Sequence, residues 1–292
     1  MRIKRVAAIA AVAALALGLT ACGGDDDAEG TGSGSKSFAA GSTMEKLNKA
    51  QKIKIGTKFD QPGFGQKGLS GKPEGFDVEI AKIIAKELGI SDDKIEWVEA
   101  PSKVREDVIV NGTVDLVAAT YTINDKRKER IAFAGPYYEA GQNIMVKKDD
   151  TTITGPDSFK DGTKKVCSVT GSTPFEEIKK YVKDVGSQLV LFDTYDKCRD
   201  ALKGGQVDAV TTDNVILLGY IAKDEASFKL AGPNFTKEPY GIGVKKEDND
   251  FRSFINDTLD KAVADGSWKK AWDDTAGKFG AELGSAPTIN RY

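Results

Sequence analysis

The chain has 292 residues, 42 Lys and Arg against 44 Asp and Glu, a formal charge of −2 and 40% hydrophobic residues, as in a soluble globular protein. The slightly acidic balance argues against nucleic acid as a partner, since that requires a basic patch. The absence of histidine removes Ser-His-Asp and Cys-His catalysis, His-ligated zinc and the usual general base near neutral pH, so no catalytic residue, metal or cofactor is expected.

Residues 1–21 read as a leader. Arg2, Lys4 and Arg5 precede the apolar run Val6 to Leu19, which at roughly 14 residues fits a signal-peptide core and is short for a membrane span. The run ends in Leu19-Thr20-Ala21-Cys22, which resembles the lipobox of bacterial lipoproteins and implies lipidation of Cys22 with cleavage before it. The next stretch, to residue 42, is rich in Gly, Ser, Asp and Thr and reads as a flexible tether, too polar to bury a core. The expectation is a protein on the outer face of the cytoplasmic membrane, held to the bilayer through Cys22.

Beyond the tether, β-branched runs alternate with amphipathic helical patterns, the signature of an α/β fold. Ile53 to Thr57 reads as a strand. Phe76 to Leu88 reads as a helix, with Phe76, Ile80, Ile83, Ile84 and Leu88 on one face and Gly89 ending it. Ile95 to Val98 predicts a strand, Val104 to Val110 a short helix and Leu116 to Ala119 a third strand. A second series repeats the order: strand Lys165 to Val169, helix Phe175 to Val185, strand Leu189 to Phe192, helix Tyr195 to Leu202 and strand Ala209 to Thr211. A strand at Tyr240 to Val244 and helices at about Phe251 to Ala264 and Trp268 to Ala276 complete the pattern.

Cys167 and Cys198 are the two cysteines left once Cys22 is assigned to lipid. In an oxidising compartment they are expected to form a disulfide closing a loop of about 30 residues, worth roughly 3–4 kcal/mol by loop entropy. Two buried free thiols are the alternative.

Within the two series, Asn111-Gly112-Thr113-Val114-Asp115-Leu116-Val117 echoes Gly204-Gly205-Gln206-Val207-Asp208-Ala209-Val210. Many αβ connections look like this, but together with the matching series the echo suggests two similar lobes. Ligands of open α/β sheets bind beyond the carboxyl ends of strands. Ala119 to Thr122, which includes Thr120, and Thr212-Asp213 are therefore expected at one shared cleft.

The ordered set Gly75-Phe76-Asp77-Val78-Glu79, Val114-Asp115-Leu116, Thr120-Tyr121-Thr122-Ile123-Asn124-Asp125-Lys126-Arg127, Gly135-Pro136-Tyr137-Tyr138, Gly171-Ser172-Thr173 and Val207-Asp208-Ala209-Val210 resembles the polar amino-acid branch (family 3) of bacterial solute-binding proteins, the extracellular receptors of ABC importers. The resemblance covers about Leu47 to Ala276 and is strongest to actinobacterial glutamate-binding lipoproteins. It implies a two-lobed periplasmic-binding-protein fold of the hinge-closing type II, with two hinge strands. Lobe 1 would comprise 43–138 and 239–292, and lobe 2 would comprise 140–237. It also implies binding without turnover, and the membrane subunits of an ABC transporter as partner. A dehydratase of cyclohexadienyl acids is known among relatives of the family, but it needs a positioned general acid, and the sequence offers no cleft carboxylate besides Asp213.

By the same resemblance Arg127 clamps the ligand α-carboxylate, Thr122 and Thr173 supply backbone N–H groups, and Asp213 meets the α-ammonium. A planar guanidinium can bind a carboxylate through two parallel hydrogen bonds. On the sequence alone, Arg127 could equally be one charge in Lys126-Arg127-Lys128-Glu129-Arg130, and Asp213 the N-cap of a helix from Asn214 to Ala222. Relatives often place an aromatic residue where this chain has Gln61, so an aromatic wall is not expected there, and Phe59 is given no ligand role. Lys58 and Arg105, with Ser102 nearby, occupy positions that are basic in relatives binding acidic amino acids. A ligand of net negative charge needs one more cation than a zwitterion, because an unpaired buried carboxylate is costly. L-glutamate is thus the expected ligand, then L-aspartate, then glutamine or asparagine.

Overall fold

The computed structural model describes residues 36–292. The leader, Cys22 and most of the proposed tether lie outside the described residues. The first helix, α1 (Thr43–Ala50), starts where the side chain of Ser42 accepts from the Glu45 amide at 3.1 Å. Among the described residues no helix is long and apolar enough to cross a membrane.

The first half contains β1 (Ile53–Thr57), the small hairpin strands β2 (Asp60–Gln61), β3 (Gly65–Lys67) and β4 (Pro73–Glu74), then α2 (Phe76–Glu87), β5 (Ile95–Glu99), α3 (Arg105–Val110), β6 (Leu116–Val117), α4 (Asp125–Lys128) and β7 (Ile131–Ala140). The chain continues through β8 (Gln142–Lys147), β9 (Val166–Val169), α5 (Thr173–Ile178), α6 (Val185–Gln188), β10 (Leu189–Phe192), α7 (Tyr195–Lys203), β11 (Ala209–Asp213), α8 (Asn214–Lys223), β12 (Phe228–Leu230), β13 (Glu238–Lys245), α9 (Asn249–Ala264) and α10 (Ser267–Asp274). These strands build a mixed α/β molecule with two five-stranded sheets, ordered β5-β1-β6-β13-β7 and β10-β9-β11-β8-β12.

The sheets share one plan. In each, the first strand lies between the second and third, all three parallel, and the fourth place is taken by an antiparallel strand arriving from the other half of the chain. Thus β8 enters the second sheet directly from β7 of the first, and β13 returns. Two lobes joined by two crossing strands follow from that exchange.

The Val-Asp echo has a physical meaning in this plan. Asp115 takes the Lys54 amide on its carboxylate at 2.7 Å and donates its own amide to the Lys54 carbonyl at 2.8 Å. Asp208 does the same to Lys165, at 2.7 and 2.9 Å. Each aspartate ties the start of its lobe's third strand to the start of the first, after a glycine turn whose positive φ (67° at Gly112, 75° at Gly205) suits a residue without Cβ.

Phe76, Ile80 and Ile84 of helix α2 are completely buried, as is its C-cap residue Leu88, whereas Ile83 is only partly covered. Each fully buried side chain of this kind contributes about 1.5–3 kcal/mol. Gly89, at φ 77°, ends the helix. In the second lobe Cys167 on β9 and Cys198 on α7 are joined by a disulfide across a separation of 31 residues.

One expected helix is broken. The run from Phe175 to Val185 stops after Ile178, and α6 begins separately at Val185. The reason lies in Gln188, whose side-chain oxygen accepts from the amides of both Lys183 and Asp184, at 2.8 and 2.9 Å. With Asp184 also capping the Ser187 amide at 2.7 Å, the broken turn has partners for its donors and loses little by leaving the helix.

Candidate functional site

The carboxyl ends of six parallel strands face one another across the cleft. From lobe 1, β1 leads into Lys58, β5 into Ser102 and Arg105, and β6 into Thr120 and Thr122. From lobe 2, β9 leads into Ser172 and Thr173, β10 into Tyr195, and β11 ends in Thr212 and Asp213. A small, partly open pocket between them is lined by Ser102, Arg105, Thr120, Thr122, Thr173 and Asp213, together with Gln61, Ser172, Pro174, Tyr195, Thr212 and Ile216. Six of the eight ligand-binding residues expected from sequence thus meet in one cavity.

Lys58 stands just behind this lining. It is 3% exposed, and its ammonium donates to the Ser102 hydroxyl at 2.8 Å. Arg105, 2% exposed, lays its guanidinium over the Tyr121 ring at 4.2 Å and donates to the carbonyls of Ala119 and Thr120, at 2.9 and 3.3 Å. Its Nε has no acceptor. Among the described residues no carboxylate oxygen lies within 4.0 Å of either cation. Burial, and then the neighbouring Arg105 charge, push the Lys58 ammonium down to about 7.

Arg127 is arranged differently. It sits on α4, whose cap Asn124 accepts from the Arg127 amide at 2.9 Å. Its guanidinium pairs with Glu106 at 3.2 Å and donates to the Thr122 carbonyl at 2.6 Å. It also reaches across to lobe 2, to the Thr173 hydroxyl at 3.1 Å and the Gly171 carbonyl at 3.3 Å. Rather than lining this pocket, Arg127 borders an adjoining surface recess with Gly171, Ser172 and Thr173. Its donors are engaged by the protein on both sides of the cleft.

Asp213 occupies the N-cap position of α8 but makes no capping hydrogen bond. One carboxylate oxygen accepts from the Tyr240 hydroxyl at 2.6 Å, and the other is buried without a donor. Burial, and then the charge of Glu238, raise its carboxyl to about 8. Tyr240 brings its hydroxyl there from β13, one of the two crossing strands.

Orphaned polar atoms concentrate around this cavity: Gln61 Nε2, Arg105 Nε, the Tyr195 hydroxyl, Thr212 Oγ1 and Asp213 Oδ1 all lack a partner among the described residues. Buried polar groups normally find one, so five around one cavity, from both lobes, mark a surface shaped for a polar ligand. Donors and acceptors are both present, and Asp213 is the one carboxylate on the lining.

Sequence reasoning gave no role to Tyr195, Ile216 or Asp77. Asp77 is fully buried, accepts from the Thr120 amide at 2.7 Å and the Tyr137 hydroxyl at 2.5 Å, and is raised by burial to about 7. It thereby supports Thr120, a non-glycine residue at φ 44°, in a conformation that costs energy elsewhere in proteins. Glycine followed by Phe-Asp at the start of a helix was the available signal. Gln61 is held at the cavity by the Thr120 hydroxyl, which donates to its side-chain oxygen at 2.9 Å.

Comparison with known proteins adds four findings. Residues 53–274 match the family model of bacterial extracellular solute-binding proteins, family 3. The chain is 40% identical over 284 residues to the glutamate-binding protein GluB of Corynebacterium efficiens, covering 94% of this chain and 91% of that one. It is 37% identical over 244 residues to a glutamine-binding protein of Geobacillus stearothermophilus, covering 82% and 91%. Among solved structures, an ancestral arginine-binding protein bound to glutamine superposes with a TM-score of 0.71 at 35% identity, covering 77% of this chain and 97% of that one.

Proposed function

The chain belongs to the bacterial extracellular solute-binding proteins of family 3, and from that premise we propose that it is the receptor of an ABC importer for an acidic amino acid, L-glutamate before L-aspartate. The observation that carries the choice is the pair of buried cations, Lys58 and Arg105, at one cavity with no carboxylate of the described residues within 4.0 Å. A ligand side-chain carboxylate supplies the missing anion, where an amide would leave both charges uncompensated. Asp213, with one bare oxygen, takes the α-ammonium. Arg127, Thr122 and Thr173 take the α-carboxylate, for which Arg127 exchanges its present bonds to the Thr122 carbonyl and Thr173 hydroxyl.

Binding is by closure of two lobes, 43–138 with 239–292 against 140–237, about the crossing strands. Each lobe holds only part of the ligand's partners, so contacts to both are made in the closed form alone and draw the equilibrium toward it. The transporter's membrane subunits then recognise the closed shape. Cys22 anchors the receptor to the outer face of the membrane. Fractionation tests that anchor: a Cys22→Ala variant that stays with membranes as the parent does would remove it from the account.

A second reading, a receptor for glutamine or asparagine, is supported by the similar identity to glutamine-binding relatives (37% and 36%). Calorimetric titration of the protein with glutamate and glutamine separates the two. The acidic reading expects glutamate to bind more tightly, and tighter binding of glutamine overturns it.

A further inference from the structure

Residues 60–62 touch lobe 2 without lining it with charge for a ligand. The Asp60 carboxylate accepts from the Tyr195 amide at 2.8 Å, at the first turn of α7. The Asp60 carbonyl accepts from the Tyr220 hydroxyl on α8 at 2.7 Å. One lobe 1 residue thus holds two lobe 2 helices. The cap residue of α7, Thr194, makes no capping bond of its own, its hydroxyl turning instead to Asp196. Asp60 therefore supplies from across the cleft the acceptor that α7 lacks locally.

Beside this contact α8 carries Gly219 where a Cβ would stand 2.5 Å from the Pro62 carbonyl oxygen, with the three nearest atoms all belonging to Pro62. Backbone cannot swing aside as a side chain does, so glycine is what lets the lobes approach. Its φ is not positive, so no backbone demand of lobe 2 explains it.

We propose that Asp60 and Gly219 form a closing latch: Asp60 is a positioning residue that bonds α7 and α8 only when the lobes are shut, and Gly219 is the gap into which Pro62 fits. The latch rests on the closure reading above and adds a part of the closed state that no ligand atom touches. It also fixes Tyr195, whose free hydroxyl lies on the cavity wall, so shutting the latch sets a ligand contact in place.

Gly219→Ala tests this with effects of opposite sign. Alanine is the better helix former, and in an open molecule its methyl meets no Pro62, so thermal stability without ligand should hold or rise. Affinity for whichever of L-glutamate and L-glutamine the parent binds more tightly should fall at least tenfold. The ratio between the two ligands should stay as in the parent, because Tyr195 faces either ligand alike and neither Lys58 nor Arg105, the cations that separate the two, is touched. Small-angle scattering should show a smaller radius for the saturated parent and a lesser contraction for the variant. An unchanged affinity with full contraction overturns the latch and leaves closure standing. A parent that binds its ligand with no contraction overturns closure and the latch together. Asp60→Ala, which removes the acceptor without adding volume, should weaken binding in the same direction, and no loss there removes Asp60 from the latch.

Discussion

The two lobes are built on one plan yet present opposite walls to the cleft. Lobe 1 brings the cations Lys58, Arg105 and Arg127, all buried, while lobe 2 brings Asp213 and the neutral dipoles of Ser172, Thr173, Tyr195 and Thr212. The shared features, strand order and the aspartate ties at 115 and 208, make each lobe fold. The unshared features sit beyond the carboxyl ends of the same strands, where no packing demand keeps the lobes alike. Fold and recognition are thus separable along each strand, and the proposed acidic ligand rests on the asymmetry of charge.

Breaking the lobe 2 side should have the largest and least selective effect. In the proposed role of Asp213, Asp213→Asn removes the partner of an ammonium that every amino acid carries, at an expected cost of about 3–5 kcal/mol as for a broken buried pair. Titration with glutamate and with glutamine should show equal losses. A loss confined to one ligand would move the ammonium site elsewhere.

The two lobes should also answer pH with opposite sign. A ligand carboxylate beside Lys58 raises an ammonium that burial and Arg105 hold at about 7, so glutamate binding takes up a proton and weakens as pH climbs above that value. A ligand ammonium beside Asp213 lowers a carboxyl that burial and Glu238 hold at about 8, so binding releases a proton and strengthens as pH climbs toward that value. Each group contributes up to about tenfold per pH unit. Between pH 7 and 8 the slopes oppose in the parent, and Lys58→Met should leave only the rising one. Glutamate affinity of the variant should therefore climb with pH more steeply than the parent's, and parallel curves would show that Lys58 does not meet the ligand.

The alternation of strand and helix made both lobes legible in sequence, because β1, β5, β9 and β10 have clear β-branched runs bounded by turns. The crossing strands were less legible. The family resemblance implies a hinge strand at the 138/140 boundary, but no local pattern marks β7 as a strand: it runs through Gly135-Pro136-Tyr137-Tyr138 and is buried on nearly every residue, so it lacks the period-2 alternation that marks a half-exposed strand. β8 is buried on five of its six residues and escaped for the same reason. The helix break at residue 179 depends on Gln188, a partner that periodicity cannot reveal.

Site residues divide in the same way. Asp213 follows a strand end and Thr120 a Gly-turn repeat, so local pattern points to them. Lys58 and Arg105 are single basic residues among 42, and only the resemblance to a family distinguished them; their burial without a carboxylate is a tertiary fact. Tyr195 and Ile216 carry no local signal of a cleft. The free oxygen of Asp213 could not be anticipated either, since its cap position suggested a bond to α8 that the hydroxyl of Tyr240 replaces.

The central claim is that the excess positive charge of lobe 1 selects an acidic side chain, and Arg105 carries it most directly. Arg105→Met keeps much of the apolar stem over Tyr121 while deleting the charge. Calorimetric titration of this variant should show glutamate affinity reduced by about 2–5 kcal/mol, with a much smaller change for glutamine, so that the preference between them narrows or reverses. Equal losses for both ligands, or none for either, would contradict it.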